Sequence, residues 1–365
     1  MTASAVRASE ETSRWMLYGA TGYTGALIAE EAVRRGHRPL LAGRSVEKLA
    51  ALGERLGLEW LAVGLDDARA LAEAVGRVEA VLHAAGPFVH TGGPMLRACL
   101  DAGASYLDIT GEIAAFERTF AHDRAARTRG VTLLPGAGFD VVPTDCLARY
   151  VAERVPGATE LELAIAALGG APSAGTAKSV LEAMPNGNRV RRNGALVRVP
   201  MGQGARTVRF LCGERTVLPI PWGDLSTAWR TTNIGDITTY MALPPRQVRV
   251  LAAASPIAER VLSVGPLRRL ALAVIGQVVK GPNAEARARG RSHVWARAAD
   301  GHGREAQAWL ETCDGYAFTA LSSVLLVERV LAEKPPGAVT PAGAFGADFV
   351  LEIDETRRTD ALGAT

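Results

Sequence analysis

Short apolar runs alternate with amphipathic stretches through residues 15–134, and a glycine closes each amphipathic stretch. Trp15–Tyr18, Pro39–Ala42, Trp60–Val63, Ala80–Ala84, Tyr106–Ile109 and Val131–Leu134 read as strands. Ala26–Arg35, Val46–Leu56, Ala68–Val75, Met95–Ala102 and Ala114–Arg129 read as helices. Gly36, Gly57, Gly76, Gly103 and Gly130 follow them, where a helix end favours a residue tolerant of positive φ. Strands joined by helical crossovers can only lie parallel in one sheet. The expected fold class is therefore α/β, with a doubly wound parallel sheet.

The rhythm changes after Tyr150. Leu161–Ala167 reads as a strand and Thr176–Met184 as a short helix that Thr176 can cap. Asn193-Gly194, between Val190–Arg192 and Ala195–Val199, is a strong two-residue hairpin signal. A second hairpin is expected from Val294–Ala298 and Ala306–Leu310, turning at Asp300–Gly303. Arg246–Val279 reads as helices broken at Pro256 and Pro266, and Thr319–Leu331 as a final helix that returns to the first domain. These readings divide the chain into a nucleotide-binding domain (14–145), an α+β substrate or dimerisation domain on an antiparallel or mixed sheet (146–314), and a C-terminal helix and tail packing back (315–355).

Composition narrows the function classes. Forty-one Lys and Arg against 38 Asp and Glu leave a net charge of +3, too small to call for a nucleic-acid partner. Cys99, Cys146, Cys212 and Cys313 form no CxxC pair, and the histidines form no HExxH, so no metal is expected. Met1–Ser13 lacks the apolar core of a signal peptide, and apolar runs such as Leu163–Leu168 and Leu270–Ile275 fall far short of the ~20 residues of a membrane span. The expectation is a cytoplasmic protein without a transmembrane segment; a homodimer stays open.

Gly19-Ala20-Thr21-Gly22-Tyr23-Thr24-Gly25 sits between the first strand and the first helix. Glycines there let backbone amides approach a pyrophosphate, and the helix N-terminus adds donors and a favourable dipole. The spacing is GxxGxxG rather than the GxGxxG of the usual dinucleotide loop. NAD-selective sheets end their second strand in a carboxylate that binds the ribose hydroxyl. Here the sequence is Leu41-Ala42-Gly43-Arg44-Ser45, so Arg44, with Ser45 and Lys48, suits a 2′-phosphate and favours NADP(H). Asp66 either accepts from the adenine amine or caps the next helix. Small residues at Ala85-Gly86-Pro87 leave room for a dinucleotide at the sheet edge, and His83 reads as a core histidine.

These blocks, followed by Ala98–Gly103, Tyr106–Glu112 and Gly138–Asp145, come in the order seen in the saccharopine dehydrogenase-like oxidoreductases. Gly175–Ser179, Lys280-Gly281-Pro282 and Thr340–Ala344 are weaker echoes. The chain resembles most the bacterial members of that family called trans-acting enoyl reductases. The resemblance implies a Rossmann-type doubly wound parallel sheet that binds NADP(H), with a second α+β domain inserted before the C-terminal helices. It does not imply saccharopine as substrate, because no cluster of Arg or Lys able to hold several carboxylates is readable in the second domain.

Reduction of a C=C bond conjugated to a carbonyl needs a proton donor near the nicotinamide, and so does reduction of a C=N bond. Loops after the fifth and sixth strands, with Thr110, Glu112, Phe139 and Asp140, should border that position, and Lys178 and Thr176 should face it from the second domain. Asp140, Glu112 and Lys178 are the catalytic candidates; each has a structural alternative, Glu112 as a cap for the helix after it, Asp140 as a loop tie and Lys178 as a surface residue. Tyr23 belongs to the cofactor loop, and no YxxxK pair is suitably placed. The expected activity is an NADPH-dependent reductase of an activated C=C bond on a small-molecule or acyl-type, lipid-like intermediate. The alternatives are an imine or saccharopine-type enzyme and a non-catalytic NADPH-binding protein. Pro219–Gly223 and Tyr240–Leu243 suit an apolar pocket or ordinary core.

Overall fold

The computed structural model describes residues 14–168, 173–183, 187–200, 202–249 and 281–362, with single positions at 265, 268, 271 and 274. Lys280, Met184 and most of Arg246–Val279, including Pro256 and Pro266, lie outside the described residues.

Among the described residues, seven parallel strands form the first sheet. They are β1 (Trp15–Tyr18), β2 (Leu40–Gly43), β3 (Trp60–Ala62), β4 (Ala80–His83), β5 (Ser105–Asp108), β6 (Thr132–Leu134) and the late strand β15 (Gly337–Ala338). Their spatial order is β15-β6-β5-β4-β1-β2-β3, which reverses between β1 and β4. That reversal is where ligands bind in open sheets of this type. Residues of β1, β2 and β4 are buried throughout, because crossover helices cover both faces.

The connecting helices are α1 (Tyr23–Arg34), α2 (Val46–Leu56), α3 (Ala68–Val75), α4 (Phe88–Ala102), α5 (Ile113–Phe120) and α6 (Asp123–Arg129). Ser45 caps α2 by accepting from the Lys48 amide, and Asp67 caps α3 by accepting from Ala70. Gly57, Gly103 and Gly130 adopt the left-handed conformation at helix ends, whereas Gly76 has φ −64° and needs no glycine freedom. Two boundaries depart from the sequence reading. Helix α4 starts at Phe88 rather than Met95 and carries Pro94 inside it, because a carboxylate from a distant loop caps its first amides. The stretch Ala114–Arg129 is two helices; Asp123 opens the second and accepts from the Ala338 amide of β15.

The second sheet has nine strands among the described residues, with the main path β10-β11-β12-β7-β13-β14-β16. It comprises β7 (Glu160–Leu168), β8 (Asn188–Arg192), β9 (Ala195–Val199), β10 (Arg206–Phe210), β11 (Gly213–Pro219), β12 (Asp236–Ala242), β13 (Arg291–Ala299), β14 (Glu305–Cys313) and β16 (Arg357–Thr359). The sheet is mixed: β7 runs parallel to β12 and antiparallel to β13. Asn193 and Gly194 both take positive φ and turn β8 into β9, as their dipeptide requires. Strand β16 closes the far edge beside β14, a return of the tail not read from the sequence.

The remaining helices are α7 (Val142–Arg154), α8 (Ala174–Ala183), α9 (Asp224–Thr232), α10 (Ala284–Arg289), α11 (Gly315–Glu333) and α12 (Pro341–Phe345). Helix α11 packs on α1 and β4, and α7 packs on β13 and β14. One apolar cluster therefore runs from Leu17, Ile28 and Leu82 through Phe318 and Val324 to Leu147, Leu163 and Leu310. Among the described residues, α11 alone is long and apolar enough to cross a bilayer, yet 56% of that apolar window is buried inside the protein. Its role here is that of a core helix. Phe318 is fully buried, with its ring edge-on to Phe139. Phe318→Ala is expected to cost about 3–5 kcal/mol in chemical denaturation; a loss below about 1 kcal/mol would mean that this core does not bind the domains together.

Candidate functional site

The turn after β1 is built by backbone sterics. Gly19 has φ +87°, and a Cβ there would lie 2.8 Å from the Ala85 backbone. A Cβ at Gly25 would lie 2.2 Å from the Gly19 carbonyl oxygen. Both glycines are thus required by the turn itself. Gly22 is the N-cap of α1 and offers no side-chain cap, and no acidic residue occupies the first turn. The first amides of that helix, at Tyr23, Thr24 and Gly25, have no acceptor within it. This donor set fits a pyrophosphate.

Arg44 follows β2, is exposed, and forms no ion pair among the described residues. Asp66 follows β3 and is exposed as well. Both act electrostatically on the Tyr18 hydroxyl, which donates to the Val63 carbonyl at 3.1 Å. The two loops therefore meet at one place on the sheet edge. Asp66 does not cap the helix after it, since Asp67 does. Ser45 is occupied as a cap, and Lys48 lies exposed on the first turn of α2. An exposed guanidinium with no carboxylate at the end of β2 suits a 2′-phosphate.

From this turn a continuous arc of contacts leads along the sheet edge. Gly19 abuts Ala85, and Thr91 donates to the Ala85 carbonyl at 2.6 Å. Pro87 then forms the N-cap of α4. The next two amides, of Phe88 and Val89, donate to Glu112 at 2.9 and 2.7 Å. Glu112 stands at the N-cap of α5 but makes no side-chain bond to that helix. Its carboxylate caps α4 instead, and it also accepts from the Ser179 hydroxyl of α8 at 2.7 Å. Thr110 is buried and accepts from the Glu112 amide at 3.0 Å, which sets the loop.

Asp140 lies at the end of the arc. Its carboxylate rests on Gly111, where a Cβ would come within 2.7 Å of Oδ2. The Trp222 indole donates to its main-chain carbonyl at 2.5 Å, which fixes the loop. Burial first, and then the neighbouring charge of Glu112, push its carboxyl up to about 6. The side chain is partly accessible, and no hydrogen bond lowers its pKa. Asp108, on β5, is also pushed up to about 6 by burial, but it accepts from the Tyr106 hydroxyl and the Thr110 and Gly136 amides. Asp108 is a structural tie. Asp145, at the end of the Gly138–Asp145 block, binds Thr231 at 2.6 Å and the Ala342 amide at 2.8 Å and joins α7, α9 and α12. His83 is fully buried, its Nε2 is 3.0 Å from Thr91 Oγ1, and burial lowers its pKa to about 3, as suits a core histidine.

The second domain borders the same edge. Tyr23 donates to the Pro282 carbonyl at 2.6 Å, accepts from Arg287 at 2.9 Å, and meets the Tyr316 ring edge-on. Tyr316 in turn accepts from the Ser173 amide and contacts the Thr176 hydroxyl. Ser173, not Thr176, caps α8, through the Thr176 amide at 3.3 Å. Lys178 is partly buried on α8 and forms no ion pair among the described residues. Phe139 belongs to the core, its amide accepting no cofactor role because it donates to Thr319 at 3.0 Å. Tyr240 is likewise core, with Ala164, Phe210 and Trp295 around it. Ser179, Tyr316 and Arg287 escaped sequence reasoning. Ser179 closes the Gly175–Ser179 block already noted, whereas nothing local marks Tyr316.

Comparison with known proteins places these features in context. Residues 15–134 match the family model for the saccharopine dehydrogenase NADP binding domain. A protein named putative trans-acting enoyl reductase from Mycobacterium tuberculosis is 36% identical over 183 residues, covering 46% of this chain and 43% of that one. A trans-acting enoyl reductase from Mycobacterium ulcerans is 34% identical over 148 residues, covering 38% and 35%. The matched region thus spans less than half the length of these relatives. Apo saccharopine dehydrogenase (L-Glu forming) from Saccharomyces cerevisiae is similar in fold, with TM-score 0.62 and 13% identity over 94% of this chain and 99% of that one.

Gly25→Ala should lower NADPH and NADH affinity alike by at least about tenfold, or ~1.4 kcal/mol, in calorimetric titration. Unchanged affinity would remove the β1–α1 turn from the site.

Proposed function

We propose that this protein, whose residues 15–134 match the model of the saccharopine dehydrogenase NADP binding domain, is an NADPH-dependent reductase of a C=C bond conjugated to a carbonyl. The observation that carries the reading is Asp140, a partly accessible carboxyl that rests on Gly111 and is pushed up to about 6 by burial, on the same sheet edge as the Gly19–Gly25 turn. The names of the mycobacterial relatives support the choice of C=C over C=N. NADPH held at that sheet edge would supply the hydride for the carbon β to the carbonyl.

In this reading the amides of Tyr23, Thr24 and Gly25 and the small residues Ala85, Gly86 and Pro87 hold the diphosphate side, and Arg44 with Lys48 the 2′-phosphate. Asp66 faces the adenosine end. Residues 14–145 bind the cofactor, 146–314 the substrate, and 315–355 join them. Asp140 gives a proton to the α carbon, and Lys178 lies on the helix facing it. The substrate is small or acyl-type and carries few carboxylates. Arg206, Arg297, Arg304 and Arg357 of the second sheet are committed to Glu162, Glu305, Asp300 and Glu311, which leaves them unsuited to clamp a polyanion. A cytoplasmic location belongs to this reading.

NADPH oxidation against enoyl-thioester, enone and cyclic-imine panels tests it. Turnover of the first two is expected; turnover of imines alone would overturn the C=C assignment, and none at all the reductase reading. Arg44→Ala should weaken NADPH binding about 10–100-fold, as loss of a charge-assisted pair would, and leave NADH binding within about twofold. Equal losses would remove Arg44 from 2′-phosphate recognition.

A further inference from the structure

Glu112 occupies the N-cap of α5 and serves a different helix, and this misplacement has a chemical consequence. We propose that Glu112 is a positioning residue: pinned by the Phe88 and Val89 amides and the Ser179 hydroxyl, its carboxylate is held on the loop against which the Asp140 carboxyl rests, and this makes Asp140 the proton source of the reduction. The inference rests on the proposed reductase reading and adds to it how the proton is held.

The geometry has three parts. Both Glu112 oxygens accept, Oε1 from Phe88 and Ser179 and Oε2 from Val89, which is the bonding pattern of a carboxylate rather than of a carboxylic acid. Gly111, the residue before Glu112, lets the Asp140 carboxyl lie directly on that loop, since a Cβ would meet Oδ2 at 2.7 Å. Trp222 fixes the Asp140 main chain at 2.5 Å, so Asp140 cannot easily withdraw.

The charged surroundings of Asp140 are one-sided. Glu112 comes from the β5–α5 loop and Asp224 from α9, with Asp145 of α7 acting on Asp224 in turn. Lys178 stands next to Ser179 on α8 and forms no ion pair with Asp140. A negative charge beside a carboxyl favours that carboxyl's protonated form. Glu112 has three donors to stabilise its charge, and Asp140 has none that lowers its pKa. Of the two carboxyls, Asp140 is therefore the one that keeps a proton to the higher pH, pushed up to about 6. A donor poised near working pH transfers its proton efficiently. In the reaction the proton leaves the Asp140 oxygen for the α carbon, the Asp140 carboxylate remains beside Glu112, and solvent reprotonates it. Ser179 belongs to the second domain, so Glu112 is fully pinned only with α8 in place.

The test combines a titration independent of turnover with a pH profile. In protein carrying carboxyl-labelled aspartate, the Asp140 resonance is assigned by its loss in Asp140→Asn and titrated by carbon NMR. Glu112→Gln should lower its midpoint by about 0.5–1 pH unit, with NADPH affinity by calorimetry kept within about threefold. The alkaline limb of kcat on an enoyl substrate should move down with it, a loss of about three- to tenfold at neutral pH. An unmoved midpoint, whatever happens to kcat, reduces Glu112 to a structural cap and overturns the proposal. Asp140→Asn, which leaves Glu112 untouched, should erase the limb and lower kcat about 10²–10⁴-fold; kcat retained within about threefold overturns the proposal even if Glu112→Gln does not fold. A midpoint that shifts in a protein turning over none of the panel substrates sinks the proposed function instead, and leaves the coupling of the two carboxyls standing.

Discussion

Helix α11 lies against α1 and β4 on one side and leads out of β14 on the other, and the positions of the two sheets depend on that packing. Its buried positions form part of a single apolar cluster that reaches the first sheet through Ile28 and Leu82 and the second through Leu147 and Leu310. Close-packed interiors move as blocks rather than deforming. Ser322 and Thr319 add polar anchors, donating to the Ala137 carbonyl and accepting from the Phe139 amide, so the loop carrying Asp140 is held from beneath. The switch-point edge of the first sheet is therefore held from the core side.

At that edge the two helix N-termini nearest the switch point have opposite fates. Helix α1 keeps its first amides clear of any acidic side chain, and so offers partial positive charge to a diphosphate. Helix α4 has its first amides taken by Glu112. One anion site is left open and the other is filled by the protein's own carboxylate. That division places positive potential at the cofactor turn and negative charge beside Asp140, and it follows from which loop reaches which helix.

The second domain contributes to the edge by contact rather than by chemistry that can be read from composition. Tyr23 is bound by Pro282 and Arg287, and Glu112 by Ser179. Each of these joins residues far apart in the chain, and each touches a loop of the nucleotide-binding domain. The likeness in fold to a saccharopine dehydrogenase extends over nearly the whole chain, while sequence identity of 13% leaves the site residues to be argued from their own geometry.

Local chemistry in the chain determined the parallel sheet, its strand positions within a residue or two, the Asn193-Gly194 hairpin, and the glycine turn at Gly19–Gly25. These are short-range matters: apolar period, glycine sterics, and which side chain ends a strand. The absence of a carboxylate at the end of β2, where Arg44 stands, was readable for the same reason. Tertiary structure alone decided that α4 begins at Phe88, that Ser173 rather than Thr176 caps α8, that Asp67 rather than Asp66 caps α3, and that Glu112 serves a helix that precedes it. It also decided which of several carboxyls would be short of donors, since Asp108 and Asp140 look alike in sequence and differ in the partners that folding brings to them. Hydrogen bonds between residues distant in the chain leave no periodic trace, and burial, which sets a carboxyl's proton affinity, is a property of everything packed around it.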